Sequence, residues 1–206
     1  MGLRESKKAE TRAALGWAAI RLTVERGFDN VRIEEIASAA GVSPRTFNNY
    51  FSSKAEAITS RHLDRLLRIA GELRRRPPEE PLWTALTRAT LSQYESGPEV
   101  LAHPVPDRVQ WIAGLRVMVA EPGLRGEMLR AGAIAEAEIA VAVAERTGTD
   151  PGTELYPHLV AATLIAALNA TQDHHLRAGI PAPMEDLLPA ALAQIAAGLP
   201  PPPRPA

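Results

Sequence analysis

The 206-residue chain contains no cysteine. That absence excludes disulfides, thiolate catalysis and cysteine-based zinc sites. Val, Ile, Thr and aromatic residues never form an alternating run, so nothing reads as a half-buried strand. Aromatics are only 4% of the chain, and Ala- and Leu-rich stretches dominate instead, which favours helices. The opening MGLRESKKAE has charge but no apolar run, unlike a secretory leader. No apolar stretch reaches the ~18 uncharged residues of a membrane span. The longest, around 159–170, reads as a buried helix. A cytoplasmic protein without a membrane partner is the expectation.

Charge is the first positive signal. The net charge of -1 hides an asymmetry. Residues 1–76 hold 15 Lys and Arg against 9 Asp and Glu, a net of +6, while the remainder holds 8 against 15, a net of -7. The first third therefore suits a polyanion and the rest does not.

Breakers divide the chain into helices. A first helix fits about 6–26, with Leu15, Ala18, Ala19, Leu22 and Val24 as its apolar positions and Gly27 after its end. A short second helix fits 33–40. Ser43-Pro44, an N-cap followed by a favourable first residue, opens a third over 44–51. A fourth fits 54–76, and Pro77, Pro78 and Pro81 mark a boundary. Five further helices fit about 82–96, 107–119, 123–146, 154–178 and 184–197. The periodicity leaves 100–106 open, because Pro104 and Pro106 interrupt it. The expected fold is all-α: residues 1–53 as a three-helix helix-turn-helix head, 54–76 as a connecting helix, and 77–198 as a larger helical domain. A Pro-rich tail, 199–206, reads as disordered or polyproline-like.

The second and third helices, joined through Gly41-Val42-Ser43, make a helix-turn-helix. Ala37 is small enough for close approach, Gly41 relieves the turn, Val42 plugs the corner, and Phe47 and Phe51 anchor the third helix. Arg45, Thr46, Asn48, Asn49 and Tyr50 are left on the outward face. Arg and Asn suit guanine and adenine edges in the major groove. Thr46, Tyr50 and Lys54 suit phosphate oxygens. Ser43, at the head of the helix, is counted with this DNA-facing set. Adjacent residues on a helix diverge, so Phe51 is taken as core and Tyr50 as outward. Arg74-Arg75-Arg76 reads as a solvated helix end favoured by the dipole.

The stretch RIEEIASAAGVSPRTFNNYFSSKAEAI, with ALGWAAIRLTVERGFDNV before it, resembles the DNA-binding signature of the tetracycline-repressor (TetR) family over about residues 10–60. The resemblance implies backbone-contacting roles for Thr46 and Tyr50, base-facing roles for Arg45 and Asn48, and a phosphate-binding role for Lys54. Arg32 departs from the usual Thr at the start of the second helix, and its cationic side chain has the length to reach phosphate or to pair with Glu34 or Glu35. Asn48 replaces a more usual aromatic, which implies a different sequence preference. The resemblance also implies a dimer that represses transcription from a palindromic double-stranded operator until a small molecule releases it. An activator or a ligand-independent DNA-binding protein would carry the same head.

Residues 82–198 offer no convergent acid-base or nucleophile set, so an enzyme is not expected. This half resembles a branch of the family with acyl-CoA-like ligand-binding domains, that of the mycofactocin-type regulators. That implies a hydrophobic or acyl-CoA-like effector and no cofactor. A pocket of apolar lining with a few placed polar groups has its candidates in Trp83, Tyr94, Arg108, Trp111, Leu115, Arg116, Met118, Met128 and Asn169, though large side chains at such spacing are more often plain core. Asp173-His174-His175 diverge around a helix and cannot share a metal site. The helices about 154–178 and 184–197, rich in small residues, are expected to pair with their copies in a homodimer.

Overall fold

The computed structural model describes residues 2–94, 108–177 and 182–201, all helix or loop, without a strand among them. The helices are α1 (Leu3–Arg26), α2 (Ile33–Ala39), α3 (Pro44–Asn48), α4 (Lys54–Arg75), α5 (Leu82–Leu91), α6 (Arg108–Ala120), α7 (Pro122–Thr147), α8 (Tyr156–Arg177) and α9 (Met184–Ala196). The stretch 100–106 and the end of the Pro-rich tail lie outside the described residues. The chain forms two compact units, one of residues 1–65 with 96–134 and the other of residues 66–95 with 135–206.

The first unit is built on α1. Leu15, Ala18, Ala19 and Leu22 are buried on one stripe, as their spacing predicts. Trp17, which that stripe omitted, is also buried, 8% exposed. Its ring lies 5.4 Å from that of Trp111 on α6, and the Arg61 guanidinium sits 5.5 Å from its centroid. Thr23 and Gly27 close the helix, the Gly27 N–H donating to the Thr23 carbonyl at φ +83°, a conformation that glycine adopts without a Cβ clash.

α6 approaches α1 so closely that a Cβ on Gly114 would lie 2.8 Å from the Val24 carbonyl oxygen and 2.6 Å from its Cγ1. Leu115, Met118 and Val119 of α6 and Leu124 of α7 join the same core as Leu15, Ile36, Phe47 and Phe51. Leu115 and Met118, two of the expected ligand residues, thus lie in or against the core that α1 shares with the helix-turn-helix.

In the second unit α8 buries Val160, Ala161, Leu164 and Leu168 and packs on α9, which in turn meets α5. Leu188 and Leu192 of α9 and Ala85, Leu86 and Ala89 of α5 are fully or almost fully buried. Charge ties the rest. In the arginine run at the end of α4, Arg74 and Arg75 are exposed and Arg76 half-buried, and all three are paired, not merely solvated. Arg74 bonds Glu138 at 2.8 Å and Glu145 at 2.6 Å, both on α7. Arg146 of α7 donates to the carbonyls of Arg76, Pro77 and Glu80. Such a prolyl turn leaves carbonyls that no helix can satisfy, and one guanidinium supplies donors for three of them. Glu80 is held between Arg76 and Arg88, and the hydrogen bond from Arg76 lowers its pKa.

Two glycines give opposite expectations. Gly114→Ala should cost about 1–3 kcal/mol, because the added carbon meets backbone. Gly126→Ala, where nothing stands within 4 Å, should gain up to about 1 kcal/mol from helix propensity. Urea unfolding midpoints measure both.

Burial, aided by the charge of Arg65, pushes the His62 imidazole on α4 from 6.5 down to about 4. Below pH 6.5 the unfolded chain takes up a proton that the folded chain refuses, so stability falls as pH drops from 6.5 towards 4. The expected loss at pH 5 relative to pH 7 is on the order of 2 kcal/mol. His62→Gln should flatten that part of a stability-versus-pH curve, and an unchanged slope would refute the assignment.

Candidate nucleic-acid interface

The turn between α2 and α3 explains how five residues come to be presented. α2 begins where the Glu35 carboxylate accepts the Arg32 backbone N–H at 2.9 Å. That bond, with the charge of Arg26, holds the Glu35 carboxyl below its usual range. Ala37 is fully buried, and its carbonyl accepts the Val42 N–H at 2.9 Å across the turn. Gly41 sits at φ +68°, where a side chain would be strained. Ser43 then caps α3, its Oγ accepting the Thr46 N–H at 3.1 Å and lying 2.9 Å from the Thr46 hydroxyl. Pro44 follows at the first helical position, where its missing N–H costs nothing.

α3 itself ends at Asn48. The Tyr50 and Phe51 N–H groups still bond the Phe47 carbonyl, at 2.9 and 3.0 Å, so a tightened turn carries the chain over the expected 44–51. Phe47 is 0% exposed and Phe51 2%, with ring centroids 5.7 Å apart. Burying each is worth roughly 1.5–3 kcal/mol. Together they fix the rotation of α3. Arg45, Asn48 and Asn49 are consequently exposed, while Thr46 and Tyr50 are half-buried at the edge of the same face. The Tyr50 ring rests 6.5 Å from that of Phe51. Three exposed residues, Arg45, Asn48 and Asn49, thus stand over two aromatic anchors, with Thr46 half-buried beside them and Tyr50 packed partly against the core.

Around this face, Arg32 is exposed, and among the described residues its guanidinium forms no ion pair with Glu34 or Glu35, although Glu35 accepts its backbone N–H. Glu35 bonds the Arg26 guanidinium at 2.8 Å instead. Lys54 takes a position that its spacing did not indicate. Its Nζ donates to the carbonyls of Phe28 and Val31 and lies 4.0 Å from the Phe28 ring centroid. Burial lowers its pKa. Lys54 therefore ties the start of α4 to the loop between α1 and α2. The sequence signal for this was the loop itself, whose carbonyls need donors. Ser53 opens α4 by accepting the Glu56 N–H at 3.0 Å, and Glu56 accepts the Ser52 N–H and hydroxyl, both at 2.7 Å. The Ser52 hydroxyl lowers the Glu56 pKa.

The residues expected to meet a ligand fall in both units. Trp111, Leu115, Arg116, Met118 and Met128 belong to the first unit, and Trp83, Tyr94 and Asn169 to the second. Trp111 faces Trp17. Arg116 is exposed, Met128 half-buried, and Asn169 exposed on the outer side of α8 between Ala166 and Ala170. Trp83 and Tyr94 are half-buried. The side chain of Arg108 lies outside the described residues. Near Asn169, Asp173 pairs with Arg177 at 3.0 Å, and His175 Nδ1 lies 2.8 Å from the Ala182 carbonyl oxygen.

Comparison with known proteins agrees with the geometry. Residues 17–57 match the family model for bacterial regulatory proteins of the tetR family, and residues 80–200 match that of the MftR C-terminal domain. The chain is 32% identical over 169 residues to the HTH-type transcriptional regulator TcmR of Streptomyces glaucescens, covering 80% of this chain and 73% of that protein. It is 28% identical over 159 residues to the protein of Mycobacterium tuberculosis named as the mycofactocin biosynthesis transcriptional regulator MftR, covering 77% and 76%. Among solved structures, one described as a TetR-family regulator from Rhodococcus sp. shares the fold at TM-score 0.56 and 23% identity, over 92% of this chain and 98% of that one. The fatty acid degradation regulator FadR from Bacillus halodurans shares it at 0.58 and 14%, over 92% and 96%. With a helix-turn-helix head and an MftR-like helical domain, the chain belongs to the TetR family of DNA-binding transcriptional regulators and is not an enzyme.

Proposed function

We propose that the protein is a dimeric repressor that reads a near-palindromic operator and is released by a small hydrophobic or acyl-CoA-like effector. The observation that carries the DNA half of this reading is the face of α3. Arg45 and Asn48 stand exposed directly over the buried Phe47, with one residue type suited to guanine and one suited to adenine. Asn49, Thr46, Tyr50, Ser43 and Arg32 surround them as backbone contacts. Lys54, whose ammonium ties the start of α4 to the α1–α2 loop, is assigned to that set as well. The functional division we favour is a head over 1–53, a connecting helix over 54–76 and a sensor over 77–198.

The two-fold partner is supported by α8. Leu155, just before its first residue, and Leu159 are 68% and 54% exposed, and Ala166 and Ala170 continue the stripe. Leu159, Ala166 and Ala170 follow helical spacing, and their small or aliphatic side chains let a second α8 approach. An open groove of about 360 Å³ between α8 and α9, lined by Ala167, Ala170, Leu187, Ala191 and Ile195, adjoins the stripe. Leu188 and Leu192, by contrast, are spent within the protomer. One recognition helix reads one half-site, and two on a dyad reach successive major grooves ~34–36 Å apart.

Release by an effector is a population shift, limited by the effector's differential affinity for two conformations. The half of the chain that matches the MftR C-terminal domain supports the sensor role, and its expected pocket residues are those named above. Arg116 is the side chain we assign to an anionic group on the effector.

Two measurements test the reading. In gel shifts on the DNA upstream of its own gene, Arg45→Ala with Asn48→Ala should lose about 1–3 kcal/mol of discrimination per base contact. An acyl-CoA should abolish the wild-type shift. Unchanged affinity and preference in the double variant would sink the recognition-helix assignment, and insensitivity to acyl-CoA thioesters and to small hydrophobic candidates alike would sink the effector class. In sedimentation, Leu159→Asp should convert a dimer into a folded monomer with weakened operator binding. A persistent dimer would place the interface elsewhere.

A further inference from the structure

The first turns of α1 make a second cationic surface that the helix-turn-helix does not explain. Arg4, Lys7 and Lys8 are exposed, as are Glu5, Ala9 and Glu10 around them. Arg4, Lys7, Lys8 and Thr11 recur at i, i+3, i+4 and i+7, which places them along one side of the helix. The two acidic residues of this stretch are engaged elsewhere. Glu5 accepts the Gly2 N–H at 3.1 Å, and Glu10 accepts the Ser6 hydroxyl at 3.2 Å. Among the described residues, none of the three cations has a carboxylate partner, whereas Arg12, Arg21 and Arg26 on the same helix each have one.

Packing begins at Arg12, and its contacts say where the unpacked turns emerge. The Arg12 guanidinium lies 5.1 Å from the Phe51 ring centroid and pairs with Asp64 of α4. Phe51 follows α3 (Pro44–Asn48) by three residues. The preceding turns therefore leave the core at the C-terminal shoulder of α3. At 1.5 Å per residue, Lys8 and Arg4 stand about 6 and 12 Å further along the axis, before the reach of their own side chains is added. Turns that present Arg4, Lys7 and Lys8 to solvent gain little stabilisation from those side chains, and short isolated helix is marginal in water. Unpaired cations along such turns, next to a DNA-reading helix, match the chemistry of a phosphate backbone, which carries one charge per ~1.7 Å of duplex.

We propose that Arg4, Lys7 and Lys8 form a phosphate-contacting flank that grips the DNA backbone beside the α3 contact and adds affinity without adding sequence information. The inference rests on the DNA-reading role of α3, and the experiment separates the two. A duplex selected by the wild-type protein from a random-sequence library serves as the probe, with a scrambled duplex as reference. Binding constants are measured across a salt series for the wild type, Lys7→Gln with Lys8→Gln, and Lys7→Arg with Lys8→Arg. Circular dichroism checks the fold, since neither lysine packs against anything.

The glutamine variant should lower the slope of log affinity against log salt by about 0.9 for each contact removed, close to 2 per protomer. Its preference for the selected over the scrambled duplex should not change, and the arginine variant should restore the slope. A glutamine variant with the wild-type slope overturns the flank, as does one whose selectivity falls in step with its affinity. A wild type that selects no duplex overturns the α3 reading, and the flank with it. If Arg45→Ala with Asn48→Ala loses selectivity while the lysine variant loses only slope, the two surfaces have the separate tasks assigned to them.

Discussion

The face of α3 that we propose reads DNA depends on the burial of two phenylalanines under a helix too short to exist alone. A five-residue helix has scarcely more than one turn, well below the length at which helices persist in water. Its Ser43 cap and Pro44 start lower the cost of the first turn, but they do not decide which side faces out. Phe47 and Phe51 decide it, because they enter a core already formed by Leu15, Ala18, Ala19 and Leu22 of α1 with Ile36 and Ala37 of α2. The exposed Arg45, Asn48 and Asn49 are the geometrical remainder of that choice. Recognition chemistry here is built on packing first and on polar groups second.

The same core receives side chains from far along the chain. Leu115, Met118 and Leu124 join it, and Gly114 brings α6 against the backbone of Val24. The packing around α1 is therefore fixed partly by residues nearly a hundred positions away. The second unit relies more on charge for its connections. Arg146 satisfies three carbonyls of the turn after α4, and Arg74 bridges to two glutamates of α7. Exposed ion pairs contribute little singly and more as a network with fixed geometry. What they contribute here is mainly position.

Much of this was legible in the sequence, and the reason is locality. Gly27, Gly41 and the Ser43-Pro44 pair act within a few residues of themselves, so the ends of α1 and α2 and the start of α3 could be read directly. The inward pair Phe47 and Phe51 follows from helical spacing alone. What could not be read was whatever depends on a distant partner. Trp17 belongs to the core because Trp111 and Arg61 meet it. Lys54 has the form of a phosphate ligand, yet it also serves two loop carbonyls that only the fold brings near. Leu115 and Met118 have the composition of a pocket and the location of a core, and periodicity does not distinguish these. Gly114 carries no local turn signal at all, because its significance lies in the backbone opposite it.

The division of labour within α3 has one more consequence. Its anchors point inward and the residues proposed to read DNA point outward, so the two sets are almost independent as mutational targets. Exchanging Arg45, Asn48 or Asn49 removes no core volume and breaks no cap, and surface changes of that kind ordinarily leave stability within about 0.5 kcal/mol. A regulator built this way is free to change the address it reads while its architecture stays the same. New operators become accessible by single steps that keep the fold intact.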